Sequence, residues 1–141
     1  MQVFIPYASP IDVAKCLDPR RLRKQVIECE QIERAVMGES KAWSNHPVTK
    51  MYAHNLGWLH DYTLCLAYFV DGNVDMAQWW SDCADGCRPA FITDELCRLH
   101  RRRLYAKAPE LYPDFEKFGA SEENWYVIDG ETVKYVNGKR L

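Results

Sequence analysis

Leu17-Asp18-Pro19-Arg20-Arg21-Leu22-Arg23-Lys24-Gln25-Val26-Ile27-Glu28-Cys29 decides how the rest of this chain is read. Asp18 is an N-cap residue and Pro19 fits the first helical position, where a missing N–H costs nothing, so a helix starts here. Leu22, Val26, Cys29, Ile32 and Val36 recur at i, i+4, i+7, i+10 and i+14, one apolar stripe of a 3.6-residue period. Gly38 is a natural C′ stop, so the spacing predicts a helix over 19–37. Arg21, Gln25 and Glu28 flank the stripe on one side with Lys24 just beyond. One carboxylate therefore stands among cations at the border of a buried face.

Before this helix, Ser9-Pro10-Ile11-Asp12 predicts a short helix start. Pro47 opens a third helix expected to run unbroken to about Val70, with Val48, Met51, Tyr52, Asn55, Leu59, Tyr62, Leu66 and Val70 inward and His54 and Asp61 outward. Asn73–Ala84 reads as a fourth helix, bearing Trp79 and Trp80. Thr93 before Asp94-Glu95 caps a fifth element through about Ala106. Pro109 and Pro113 bracket an irregular segment around Tyr112. Trp125 to Val136 alternates about Asp129-Gly130 and reads as a hairpin. The expected fold is mainly α: a compact single-domain helical bundle over residues 1–141 with a small C-terminal β-hairpin.

The 141 residues are 48% hydrophobic and 13% aromatic, which excludes disorder and suits one buried core. No apolar run approaches the roughly 20 residues a membrane span needs. Met1-Gln2-Val3-Phe4-Ile5-Pro6 lacks a basic n-region, so the expectation is a cytoplasmic protein whose six cysteines are thiols. The net charge of −2 argues against indiscriminate nucleic-acid binding. Yet the basic residues cluster at Arg20-Arg21-Arg23-Lys24 and Arg98-Arg101-Arg102-Arg103-Lys107. Packed together these make one cationic face; apart, they are solvated helix surfaces.

Four groups could carry chemistry. Glu28, one turn after Lys24, is either a surface ion-pair partner or a half-buried carboxylate able to stabilise a developing cation or move a proton. In Asn45-His46-Pro47 the proline forces His46 into an extended conformation at a helix N-terminus, where it caps the helix or meets a phosphate. His100, Arg103 and Lys107 share one helical face suited to phosphate contacts, while Trp43, Trp79, Trp80 and Trp125 offer stacking surfaces or fill grooves. Cys83, Cys87, Cys97 and His100 are an inventory of zinc ligands at a spacing that matches no strong pattern.

Met1-Gln2-Val3-Phe4-Ile5-Pro6, Leu17-Asp18-x-x-Arg21-Leu22-x-Lys24-Gln25-x-x-Glu28, Trp43-x-Asn45-His46-Pro47 and His100-Arg101 with Leu104, Lys107, Pro109 and Tyr112 come in an order that resembles the pyrimidine-dimer DNA glycosylase (endonuclease V-like) family. The likeness is to a bacterial and phage branch that begins Met-Gln-x-Phe-hydrophobic-Pro. It implies a helical, metal-free DNA repair enzyme: a base-excision glycosylase with associated AP-lyase activity on damaged or modified pyrimidines. An N-terminal amine attacks the sugar C1′ and a helix glutamate stabilises the reaction. Carried over, the catalytic pair is Met1 and Glu28. Gln2, Arg21, Lys24, Gln25, Asn45, His46, His100, Arg101 and Lys107 are the expected nucleic-acid or phosphate contacts. Gln2 stands where the founding member exposes a small residue, and Ile27 where it has an arginine. The resemblance implies no metal or other cofactor, a DNA or nucleotide ligand, no membrane, and a monomer or weak dimer. The alternative is a non-catalytic nucleotide- or nucleic-acid-binding module on the same scaffold, a phage or defence accessory.

Overall fold

Asp18 accepts a hydrogen bond from the Arg21 N–H, and Pro19 occupies the first turn. The long helix they start is α2, Pro19–Val36, preceded by α1, Pro10–Cys16. Leu22, Gln25, Cys29, Ile32 and Ala35 form its buried face. Beyond it lie α3 (Pro47–Tyr52), α4 (Leu56–Val70), α5 (Val74–Asp85) and α6 (Asp94–Lys107), then a 3₁₀ turn, Pro113–Phe118. The computed structural model describes all residues, 1–141. Thr93 accepts from the Leu96 N–H at the start of α6, as its place before two acids predicts.

The unbroken helix expected over 47–70 is two helices. Asn55, at φ −133° and ψ 34°, leaves the helical region and precedes α4, while Ala53 closes α3. The break lets Tyr52 and Trp58 stack at 5.9 Å and Trp58 and Tyr62 at 4.9 Å. All three rings are at most 2% exposed, so tertiary aromatic packing is gained where helical continuity is lost. Val70, expected inside, lies exposed at the end of α4.

The hairpin is present as β1 (Glu123–Ile128) antiparallel to β2 (Glu131–Val136), with Ile128 opposite Glu131. Asp129 and Gly130 both take positive φ, 51° and 81°, the pattern of a two-residue type I′ turn. Asn137-Gly138 repeats the device at φ 50° and 77° and adds a short third strand, β3, Lys139–Arg140. β1 packs on α3 and α6, turning Tyr126 inward.

Residues 1–6 belong to no helix or strand, yet Val3 and Ile5 are core residues. A buried backbone without a ladder must find side-chain partners. Phe4 N–H donates to Gln25 Oε1 (2.9 Å), and Ile5 N–H donates to His100 Nδ1 (2.6 Å). Tyr62 OH donates to the Phe4 carbonyl (2.7 Å), Arg101 Nε to that of Pro6 (2.7 Å) and Tyr126 OH to that of Met1 (2.6 Å). Four elements, α2, α4, α6 and β1, thereby hold the first six residues.

Candidate active site

The clamped N-terminal segment delivers Met1 to a cavity of about 520 Å³. Thirteen residues line it: Met1, Gln2, Phe4, Arg20, Arg21, Lys24, Gln25, Glu28, Gln31, Trp43, Arg103, Lys107 and Asn124. One edge of α2 supplies Arg21, Lys24, Gln25 and Glu28, the last turn of α6 supplies Arg103 and Lys107, and β1 supplies Asn124. The two basic segments thus face one another across the cleft. A larger cavity of about 580 Å³ lies between the α3–α4 corner and the β1–β2 turn, but its lining includes no arginine and only one lysine, Lys50.

Glu28 is mostly covered, its side chain 19% exposed, and it pairs with Lys24 Nζ at 3.6 Å. That lysine is 73% exposed, so solvent screens the pair and leaves Glu28 available to the cavity. Burial pushes the Met1 amine below its ordinary value; Glu28 pulls it back up, while Lys107, Lys24 and Arg103 push it further down. Burial and the charges of Arg103, Arg21 and Lys24 lower Lys107 as well. Arg103 is held by Asn124 Oδ1 at 3.0 Å and by the Ser121 carbonyl at 3.3 Å. At the other end of α2's first turn, Asp18 accepts from Tyr112 OH and from Arg21 Nη1 at 3.2 Å. Burial works to raise the Asp18 carboxyl, but these hydrogen bonds win and hold it below its usual range.

Of the residues expected from sequence, Met1, Gln2, Arg21, Lys24, Gln25, Glu28 and Lys107 share the cavity. Asn45, His46, His100 and Arg101 do not line it. His46 caps α3, its Nδ1 accepting from the Val48 N–H at 3.0 Å, and its ring meets Tyr126 edge-on at 5.6 Å. Burial lowers His46, and the charge of the N-terminal amine lowers it further. His100 is a core residue 2% exposed, and Arg101 spends its guanidinium on the Pro6 carbonyl and on the Tyr7 and Phe118 rings. Both hydrogen-bond the N-terminal segment. Ile27 faces solvent.

Gln31 and Asn124 line the cavity without having been singled out in the sequence, and Arg20 lines it though it was marked only as part of a basic cluster. Arg20 and Gln31 lie in phase with Lys24 and Glu28 on α2, a signal that was present; nothing local marks Asn124. The candidate zinc set is not assembled: no group of three or more His, Cys, Asp or Glu side chains is placed to hold a metal ion. Cys97 is buried, while Cys87 is exposed beside Asp61.

Residues 1–69 match the family model described as pyrimidine dimer DNA glycosylase. The matched segment contains Met1, Gln2, α2 and Trp43; Arg103, Lys107 and Asn124 lie outside it. No curated protein and no solved structure matches the chain. No helix is long and apolar enough to cross a membrane.

Proposed function

We propose, for a chain whose first 69 residues match the pyrimidine dimer DNA glycosylase family, that this cavity excises a damaged or modified pyrimidine and then cleaves the strand. The observation that carries the reading is the shared cavity: Met1 and Glu28 line one space among five cations, and the Glu28 charge acts on the Met1 amine. An α-amine has an ordinary pKa near 8, and its lowered value here raises the neutral, nucleophilic fraction. The amine nitrogen attacks C1′, forming an N–C1′ bond as the glycosidic bond breaks and its electron pair leaves with the base. The base takes up a proton and the attacking nitrogen loses one. Opening of the sugar ring gives the Schiff base. Loss of a C2′ proton then expels the 3′ phosphate, which is the lyase step.

In this reading Glu28 stabilises the positive charge that builds on the sugar and accepts protons. Arg20, Arg21, Lys24, Arg103 and Lys107 are suited to the flanking phosphates.

Borohydride trapping on DNA with an abasic site tests the reading. The unaltered protein should become covalently linked through Met1, whereas acetylation of the amine or Glu28→Gln should abolish the adduct. Affinity that falls with salt, with no adduct under any condition, would instead favour a binding module on this scaffold.

A further inference from the structure

The cavity lining divides by chemistry. Five cations suit phosphates, and Gln2 and Gln31 bring carboxamides, the group that pairs with base edges, while Gln25 and Asn124 give their amide oxygens to the Phe4 N–H and to Arg103. The apolar side chains are Met1, Phe4 and Trp43. Phe4 is engaged already, edge-on to the buried His100 ring at 5.9 Å. Trp43 is not buried in this way: it is 40% exposed.

Its backbone is also unusual. Trp43 sits at φ 66°, left-handed space that a bulky L residue adopts only when its surroundings enforce it. The enforcement is visible. Thr49 Oγ1 donates to the Trp43 carbonyl at 2.7 Å, and the His46 N–H donates to the same oxygen at 3.1 Å. The indole then leans edge-on against His46 at 5.4 Å. His46 leans on Tyr126, and Tyr126 holds the Met1 carbonyl. A chain of contacts thus ties the indole to the residue bearing the amine. A ring that served only the core would gain by turning inward; this one is pinned, under strain, at a polar cleft.

We propose that Trp43 is a specificity-determining residue whose indole stacks on the face of an unpaired nucleobase at the cavity beside Met1 and Glu28. The proposal rests on the nucleic-acid reading of that cavity and adds the platform that receives the base. Phosphate contacts orient a strand without reporting whether a base is unstacked, whereas a stacking platform rewards a base already freed from its neighbours.

Trp43→Gly, Trp43→Leu and Trp43→Phe, made in the full chain, test it. The probe is a DNA duplex carrying a tetrahydrofuran abasic analogue next to 2-aminopurine, titrated at several salt concentrations. The Gly and Leu variants should bind on the order of tenfold more weakly and lose the quenching of 2-aminopurine, while Phe restores much of both. The salt slope should not change, since no phosphate contact is lost. Glycine is at ease at positive φ, so the Gly variant should keep its melting temperature. Trp79→Leu serves as control: that indole is 55% exposed on α5, the helix that also carries Asp75 and Asp82.

Unchanged binding and quenching in the Gly and Leu variants would overturn the stacking role and leave the nucleic-acid reading intact. So would a Gly variant whose melting temperature falls together with its affinity, because Trp43 would then be a residue of the fold. No saturable binding by the unaltered chain would overturn both.

Discussion

The Tyr126 hydroxyl donates to the Met1 carbonyl oxygen across 2.6 Å, joining residues 125 positions apart. Tyr126 is 3% exposed and wedged edge-on against both His46 and Tyr135. The C-terminal sheet, which lies outside the family match, therefore fixes the backbone of the residue that carries the amine. Asn124, two residues earlier on β1, lines the cavity and holds Arg103. The sheet thus contributes to the walls of the candidate site.

Tyr126→Phe keeps the ring and removes that hydrogen bond. Leaving the Met1 carbonyl unpaired should lower stability by about 0.5–1.5 kcal/mol, measured by urea denaturation. Adduct formation with abasic DNA should fall further, by about tenfold or more, because a nucleophile displaced by about 1 Å loses its attack geometry. Equal rates in both proteins would remove Tyr126 from any positioning role.

The pH dependence of trapping should report the amine. Burial lowers Met1, and Lys107 adds to the effect, so the rate should rise with pH and reach half-maximum below the ordinary value of an α-amine. Lys107→Met removes one of those cations. Its half-maximum should move to higher pH and its rate at neutral pH should drop. A rate profile that stays in place would show that Lys107 does not act on the amine.

Stability should fall in acid for a reason far from the cleft. Burial first, and the charge of Arg103 second, push His100 down to about 3, while its Nδ1 accepts the Ile5 N–H. An unfolded His takes a proton near pH 6.5 and the folded one does not, so the unfolded state binds more protons between those values. The contribution is complete above pH 6.5 and is lost as pH falls toward 3, with a slope of up to about 1.4 kcal/mol per pH unit. His100→Leu should flatten that limb, yet cost about 1–3 kcal/mol at pH 7 by orphaning the Ile5 N–H. Chemical denaturation at several pH values reads both.

Removing single cations from the cleft should weaken binding without regard to sequence. Arg20→Ala or Lys24→Ala should each reduce the slope of log affinity against log salt by about 1. Arg34→Ala, at the far end of α2, should leave the slope alone. Identical slopes for all three would place the DNA elsewhere.

What could be read from the sequence was local. Asp18-Pro19 starts α2, Thr93 starts α6 and Asp129-Gly130 turns the hairpin because each depends on a few neighbouring dihedrals and donors. The same helical period places Arg21, Lys24, Gln25 and Glu28 along one edge, so half of the cleft was visible in α2 alone. The break at 53–55 was not visible, since Tyr52, Trp58 and Tyr62 outweigh helical continuity only once they are packed. His100 and Arg101 illustrate the same limit: their side chains suit phosphates, but that His100 accepts the Ile5 N–H and Arg101 donates to the Pro6 carbonyl depends on where residues 1–6 run.

Local chemistry thus settled where α2 and α6 start and the sign of charge along α2. Which side chains meet across the cleft was decided by long-range packing, because a helical period specifies what shares an edge and says nothing of what stands opposite. Met1 reaches Glu28's cavity because residues 1–6 donate to Gln25 and His100 and accept from Tyr62, Arg101 and Tyr126, partners that only the folded chain brings within reach.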